Sequence, residues 1–139
     1  MSNTNNQSVL PLIGRILLAA IFIVSGLGKL ANPGATMDYI AAIGLPLPGV
    51  ALAGAIAVEV VGGLLIAVGL YSRVTALAMA AFSVATALLF HNALSDQNQM
   101  IHFMKNISIA GGFLQIAAFG AGAFSLDARR PAARLATGS

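Results

Sequence analysis

The 139-residue chain contains no cysteine. That excludes disulfides, thiol redox chemistry and a thiolate metal site of its own. Charge is nearly as scarce: Asp, Glu, Lys and Arg make up 8% of the residues, against about a quarter in an average soluble domain. So few charges cannot clothe a water-facing surface. With 58% hydrophobic residues and a mean hydropathy of +0.90, the sequence implies an integral membrane protein. No nucleophile–His–acid order, Gly-rich phosphate loop or aromatic RNA platform occurs. Gly62-Gly63 and Gly111-Gly112 read instead as helix-contact glycines. The formal charge of +3 comes from scattered basic residues that form no stripe, so nucleic acid is not an expected partner. Only Arg129, Arg130 and Arg134 cluster, after the last apolar segment, where cytoplasmic anchors belong. The N-terminus has no positive start and no convincing cleavage site, so its apolar run reads as a retained first helix.

The most informative stretch is Val50–Leu70, an apolar run holding one carboxylate, Glu59. It has the roughly 20 residues that a helix needs to cross a bilayer. Ala51, Ala55, Glu59, Gly63 and Ala67 fall on one helical stripe. Small residues in a stripe admit a second helix backbone, so Glu59 is expected to face protein near mid-depth. An acid there costs about 2–3 kcal/mol or more unless protonated or paired. Two readings are open: a buried polar cluster serving an activity, and a carboxyl that only locks helix packing.

The predicted fold is all-α, a four-transmembrane-helix bundle with a short surface helix between helices 1 and 2. The spans are expected at about residues 10–30, 50–70, 74–91 and 105–124. They lie in one membrane domain (residues 9–127), between a polar tail (1–8) and a basic cytoplasmic tail (128–139). In segment one, Arg15, Ala19, Phe22, Gly26 and Lys29 share a face. Both cations could turn toward Glu59, or Lys29 could snorkel to the interface. Pro33–Ile43, set off by Asn32 and Gly44, predicts a surface helix with Met37, Ile40 and Ala41 on its apolar side. Segment three aligns Ala76, Ala80, Ser83 and Ala87, with His91 one turn on; segment four aligns Lys105, Ser108, Gly112, Gln115 and Phe119. Residues 91–104 read as a connection. The Arg15, Arg73, Arg129, Arg130 and Arg134 side outweighs the Lys29 and Lys105 side, which places both termini in the cytoplasm.

Two constellations could carry chemistry. The first is the ion cluster of Arg15, Lys29 and Glu59, because a buried carboxylate requires a cation or donors. The second gathers His91, Asp96, His102, Lys105 and Asn106 at the outer mouth. Spacings of five and six residues between these groups match no compact metal motif, so no metal is expected. The group reads either as solvated loop or as a headgroup site, with His91, Lys105 and Asn106 meeting a ligand carbonyl above an apolar slot. A quinone is the natural such ligand in a membrane.

Taken in order, the chain resembles the DoxX family of small four-helix membrane proteins. The matching pieces are Gly14-Arg15, Ser25-Gly-Leu-Gly-Lys29-Leu, Gly-Leu-Pro-Leu-Pro at 44–48, and Glu59 with Gly62-Gly63. Gly69-Leu-Tyr-Ser-Arg73, His91, Lys105-Asn106, Gly111-Gly112 and Ser125-Leu-Asp127 complete them. The resemblance implies an inner-membrane bundle linked to membrane redox complexes, with Arg15, Lys29, Glu59, Arg73, His91, Lys105 and Asn106 as positions of interest. The leading expectation is a quinone-associated accessory subunit with no intrinsic cofactor, alongside a soluble redox enzyme. The alternatives are a scaffold anchoring a soluble partner through the Arg-rich tail, and a small transporter with Glu59 as its proton-linked carboxyl. The apolar outer faces suit lipid or a second copy.

Overall fold

The computed structural model describes residues 2–130, with side chains from residue 8 onward. Arg134 and the rest of the expected basic tail lie outside the described residues. The described chain is helical throughout: α1 (Ser2–Ala31), α2 (Pro33–Ala42), α3 (Pro48–Val68), α4 (Ser72–Phe90), α5 (Gln97–Phe119) and a single turn, α6 (Leu126–Arg129). Among the described residues, three helices are long and apolar enough to cross a membrane: Ser8–Ala31, Pro48–Val68 and Ser72–Phe90. Their outward side chains, among them Leu17, Val24, Val50, Val74 and Leu77, are exposed apolar groups. That is the surface lipid demands and water penalises.

Each helix begins and ends for local reasons. Pro33 and Pro48 open α2 and α3, where proline's missing N–H costs nothing. Gly69, at φ +71°, ends α3, and Tyr71 precedes α4, also in the left-handed region at φ +49°. The carboxylate of Asp96 caps α5, accepting from the amides of Asn98 (2.9 Å) and Gln99 (3.2 Å). Helix α5 therefore starts at Gln97 and not near Lys105, and most of the expected 91–104 connection is helix. Gly120, at φ +83°, stops α5 at Phe119, short of the expected 124.

Around Phe22, whose ring centroid lies 5.5 Å from that of Phe113 and 6.4 Å from that of Phe82, sits the core. Ala19, Ile66, Ala76, Met79, Ala80, Ala110 and Ile116 complete it. Helix α4 buries the expected Ala76, Ala80, Ser83 and Ala87 face. Helix α5 does not follow its expectation. It turns Ala110, Phe113 and Ile116 inward and leaves Lys105, Ser108, Gln115 and Phe119 exposed. Phe113 packs its ring 5.5 Å from that of Phe22 and Ile116 joins the same cluster, so close packing sets the inward face of α5. Helix α2 likewise buries only Ile40, leaving Met37 and Ala41 exposed.

Helices α1 and α3 come close because glycine lines their contact. A Cβ on Gly26 would lie 2.6 Å from Val60 Cγ2 and 3.1 Å from Glu59 Cβ; one on Gly63 would lie 2.8 Å from Ile23 Cγ1. These are the backbone approaches that small residues permit between membrane helices.

Candidate functional site

Glu59 sits in a widened, π-helical turn, Val58–Gly62, within α3. Such turns shift side-chain register locally and are frequent at functional sites. Here the turn puts Glu59 against Gly26 of α1, with only 5% of the residue exposed. Lys29 answers from the last turn of α1, its Nζ 2.9 Å from both carboxylate oxygens. Ser25, one turn earlier, closes the network. Its hydroxyl accepts from Lys29 Nζ at 2.8 Å and donates to Glu59 Oε1 at 3.2 Å. Lys29 thus turns inward and does not snorkel outward. Ser25 is a site residue that the expected cluster of Arg15, Lys29 and Glu59 lacks, and its i, i+4 spacing from Lys29 is the sequence signal for it.

Arg15 does not join this cluster. Its buried guanidinium reaches across the opposite end of the bundle, where Nη1 donates to Ile66 O (3.2 Å) and Ala67 O (3.1 Å) and Nη2 to Phe124 O. These carbonyls belong to the last turn of α3 and the segment before α6. The carbonyls at a helix end lack intrahelical partners, and an arginine can satisfy several at once. Arg15 is a structural clasp at that end, not a counter-ion for Glu59. Beside it, the Asp127 carboxylate caps α4 by accepting from the amides of Tyr71 (2.7 Å) and Ser72 (2.8 Å). Burial alone would raise the Asp127 pKa. The Ser72 and Tyr71 donors and the nearby Arg130 outweigh it and hold the carboxyl below the usual range. The Ser72 hydroxyl is close enough to favour that charge but makes no hydrogen bond of good geometry.

A cavity of about 620 Å³ opens from the Lys29–Glu59 pair toward the α2 end of the bundle. Ala51 and Ala55 of the small-residue stripe, with Phe82 and Leu89 of α4, form its apolar walls. Helix α2 covers it with Tyr39 and Ile40, and His91 lies at the rim. The Tyr39 hydroxyl donates to Phe90 O at 3.0 Å, and the two rings lie 5.3 Å apart. This contact latches α2 to the end of α4. The upper half of the stripe therefore makes space, and the lower half, at Gly63, makes helix contact.

Of the expected headgroup donors, only His91 lines this cavity. Its Nδ1 lies 2.9 Å from Gln99 Oε1, and its ring stacks on that of His102 at 5.0 Å. Asn106 donates to His102 O on its own helix, and Lys105 borders a separate shallow hollow beside Met104 and Ser108. Both residues moved away from the site once α5 began at Gln97 and turned its polar stripe outward.

Residues 10–92 match the family model described as DoxX, a range that includes Arg15, Lys29, Glu59, Arg73 and His91. Two proteins of Escherichia coli K12 are similar over most of their length. Inner membrane protein YqjF is 42% identical over 116 residues, covering 84% of this chain and 88% of the relative. Inner membrane protein YphA is 38% identical over 128 residues, covering 88% of this chain and 91% of the relative. No solved structure matches.

Proposed function

The chain belongs to the DoxX family of integral membrane proteins, and from that premise we propose that it is a quinone-associated accessory subunit of a membrane redox complex. The quinone headgroup would sit in the cavity over the Lys29–Glu59 pair. The observation that carries this reading is the cavity itself. At about 620 Å³ it falls within the size range of small-molecule pockets, with apolar walls and few polar groups. The Lys29 ammonium, the His91 imidazole and the Tyr39 hydroxyl are polar groups on its wall, each with a protein partner. A ring carbonyl would accept from Lys29 in exchange for Ser25, from Tyr39 in exchange for Phe90 O or from His91 in exchange for Gln99. An isoprenoid tail would leave through the apolar wall into lipid. His91 stays in the headgroup set of this reading, and Lys29 and Tyr39 take the places expected for Lys105 and Asn106.

The same reading makes α5 the fourth span. Its 23 residues give about 34 Å of helix, and it packs lengthwise on α4. Its polar first turns would lie at headgroup level. Helix α2 would rest at the outer surface, with Lys29 and Lys105 on that side. Both termini would be cytoplasmic, beside Arg15, Arg73, Arg129 and Arg130, in the inner membrane where the relatives' names place those proteins. The soluble redox enzyme would dock on the cytoplasmic side.

The test is binding of a short-chain ubiquinone analogue to the purified protein in detergent. Saturable binding is expected, weakened about tenfold or more in Lys29→Met and in His91→Ala, as losing a hydrogen bond from a charged or well-placed donor should give. Lys105→Ala should bind like the wild type. Absence of saturable binding, or binding indifferent to Lys29 and His91, removes the quinone reading.

A further inference from the structure

We propose that the groove at the opposite end of the bundle, between the first turn of α4 and the segment after α5, binds the phosphate of an anionic phospholipid headgroup through Arg73 and Arg130. The groove holds about 660 Å³ and is lined by Ser72, Arg73, Gly120, Gly122, Asp127 and Arg130. It lies where two apolar helices end, α3 at Val68 and α4 beginning at Ser72, and so at headgroup depth.

Its charge is unbalanced. Asp127 is its one acid, and both carboxylate oxygens are already engaged, Oδ1 by the Tyr71 amide and Oδ2 by the Ser72 amide. Arg130 Nη1 stands 3.6 Å from Oδ1, while the guanidinium carbon lies 4.3 Å above the Tyr71 ring. Stacking of this kind fixes the plane of the guanidinium and leaves its edges free to donate. Arg73 spends Nη1 on Ala118 O at 2.9 Å. Its Nε and Nη2 lie beside Gly120, where even a Cβ would stand only 3.4–3.5 Å away, and have no partner among the described residues. Two guanidinium groups with unused donors therefore flank one groove. Planar guanidinium edges match phosphate oxygens, and basic pockets between membrane helices select anionic headgroups. The exposed side chains of Tyr71, Phe124 and Leu126 around the groove offer contact to the glycerol and upper acyl carbons.

The measurement is lipid retention by the full chain in detergent, read by native mass spectrometry. Phosphatidylglycerol competes there with phosphatidylcholine, whose choline would bring a third cation into the groove. Retention of phosphatidylglycerol is expected to exceed that of phosphatidylcholine. Arg130→Gln and Arg73→Gln should each weaken it about fivefold, the worth of one cation near an anionic lipid surface. Arg73→Lys, which keeps the charge but not the planar edge, should fall between Arg73→Gln and the wild type, and Lys105→Gln at the other end should retain all of it. Equal retention of the two lipids, or Arg73→Gln and Arg130→Gln behaving like Lys105→Gln, overturns the proposal. Inorganic phosphate stabilising the protein against heat as well as phosphatidylglycerol does would also overturn it, by giving the groove to a soluble anion.

Discussion

Removing Lys29 and removing Glu59 should have unequal consequences, because the two partners are unequally buried. The Glu59 side chain is 6% exposed and the Lys29 side chain 23%. In Lys29→Met the carboxylate keeps only the Ser25 hydroxyl as a donor. Breaking a buried pair from one side costs about 3–5 kcal/mol. The loss in Lys29→Met should therefore be about 3 kcal/mol. In Glu59→Gln the amide still accepts from Lys29 and Ser25, and the lysine stem is long enough to carry its charge toward the open cavity. The cost there should be nearer about 1 kcal/mol. The double variant should be more stable than Lys29→Met alone. Reversible unfolding in mixed micelles, by titration with a denaturing detergent, reads all three. A Lys29→Met penalty no larger than that of Glu59→Gln, or undiminished in the double variant, would refute the ion pair as the feature that makes Glu59 tolerable.

Gly26→Ala should cost about 1–3 kcal/mol, since the new methyl meets a stiff valine and the Glu59 stem, whereas Gly14→Ala, with open space beside it, should be silent. Melting temperatures in detergent distinguish the two. For Asp127, whose folded pKa lies below its unfolded one, the contribution to stability is complete above the unfolded carboxylate range and drains away as the pH falls through the folded value. Asp127→Asn keeps one acceptor oxygen but loses the charge and the other, so it should cost about 1 kcal/mol at neutral pH, and the gap between variant and wild type should close in strong acid. Ala51→Leu fills the cavity from a wall position, so it should leave thermal stability unchanged or raised while abolishing binding of the ubiquinone analogue. Undiminished binding in that variant would move the ligand elsewhere.

Much of the fold was legible because few alternatives exist for so apolar a chain. The Ala76–Ala87 face of α4 and the inward turn of Glu59 followed from helical spacing alone, and both stand in the structure. What failed did so for identifiable reasons. A run of Gln, Asn and His before Lys105 reads as loop, yet Asp96 caps a helix there, and a carboxylate two residues before Asn98 is the signal for it. The polar stripe of α5 does not mark its inner face, because Phe113 and Ile116 pack into the core instead. Depth along one helix places Arg15 near Glu59 but says nothing about which neighbour's carbonyls lie opposite. Three acceptors from α3 and the 120–125 segment come together only in the fold.

The two ends of the bundle are built on opposite principles, and the stripe from Ala51 to Ala67 joins them. Below Glu59, Gly63 brings α1 and α3 into contact, Arg15 binds helix-end carbonyls, and Asp127 staples the 120–130 segment to the start of α4. Above it, Ala51 and Ala55 line the cavity, which α2 covers through Tyr39 and Ile40. If the stripe served packing alone, its upper half should be closed as its lower half is, since an unfilled space forfeits dispersion contacts. Helix α2 is held over the cavity by the buried Ile40, the Tyr39 hydrogen bond to Phe90 O and the Tyr39–Phe90 ring contact. It is a short helix with few buried apolar contacts and so among the first elements to open. Local stability should accordingly divide at Glu59. Amides of α2 and the first turns of α3 should exchange with solvent deuterium well before those of residues 63–68 and the first turns of α4. Exchange that is uniform along α3 would show the cavity end to be as firmly closed as the clasped one.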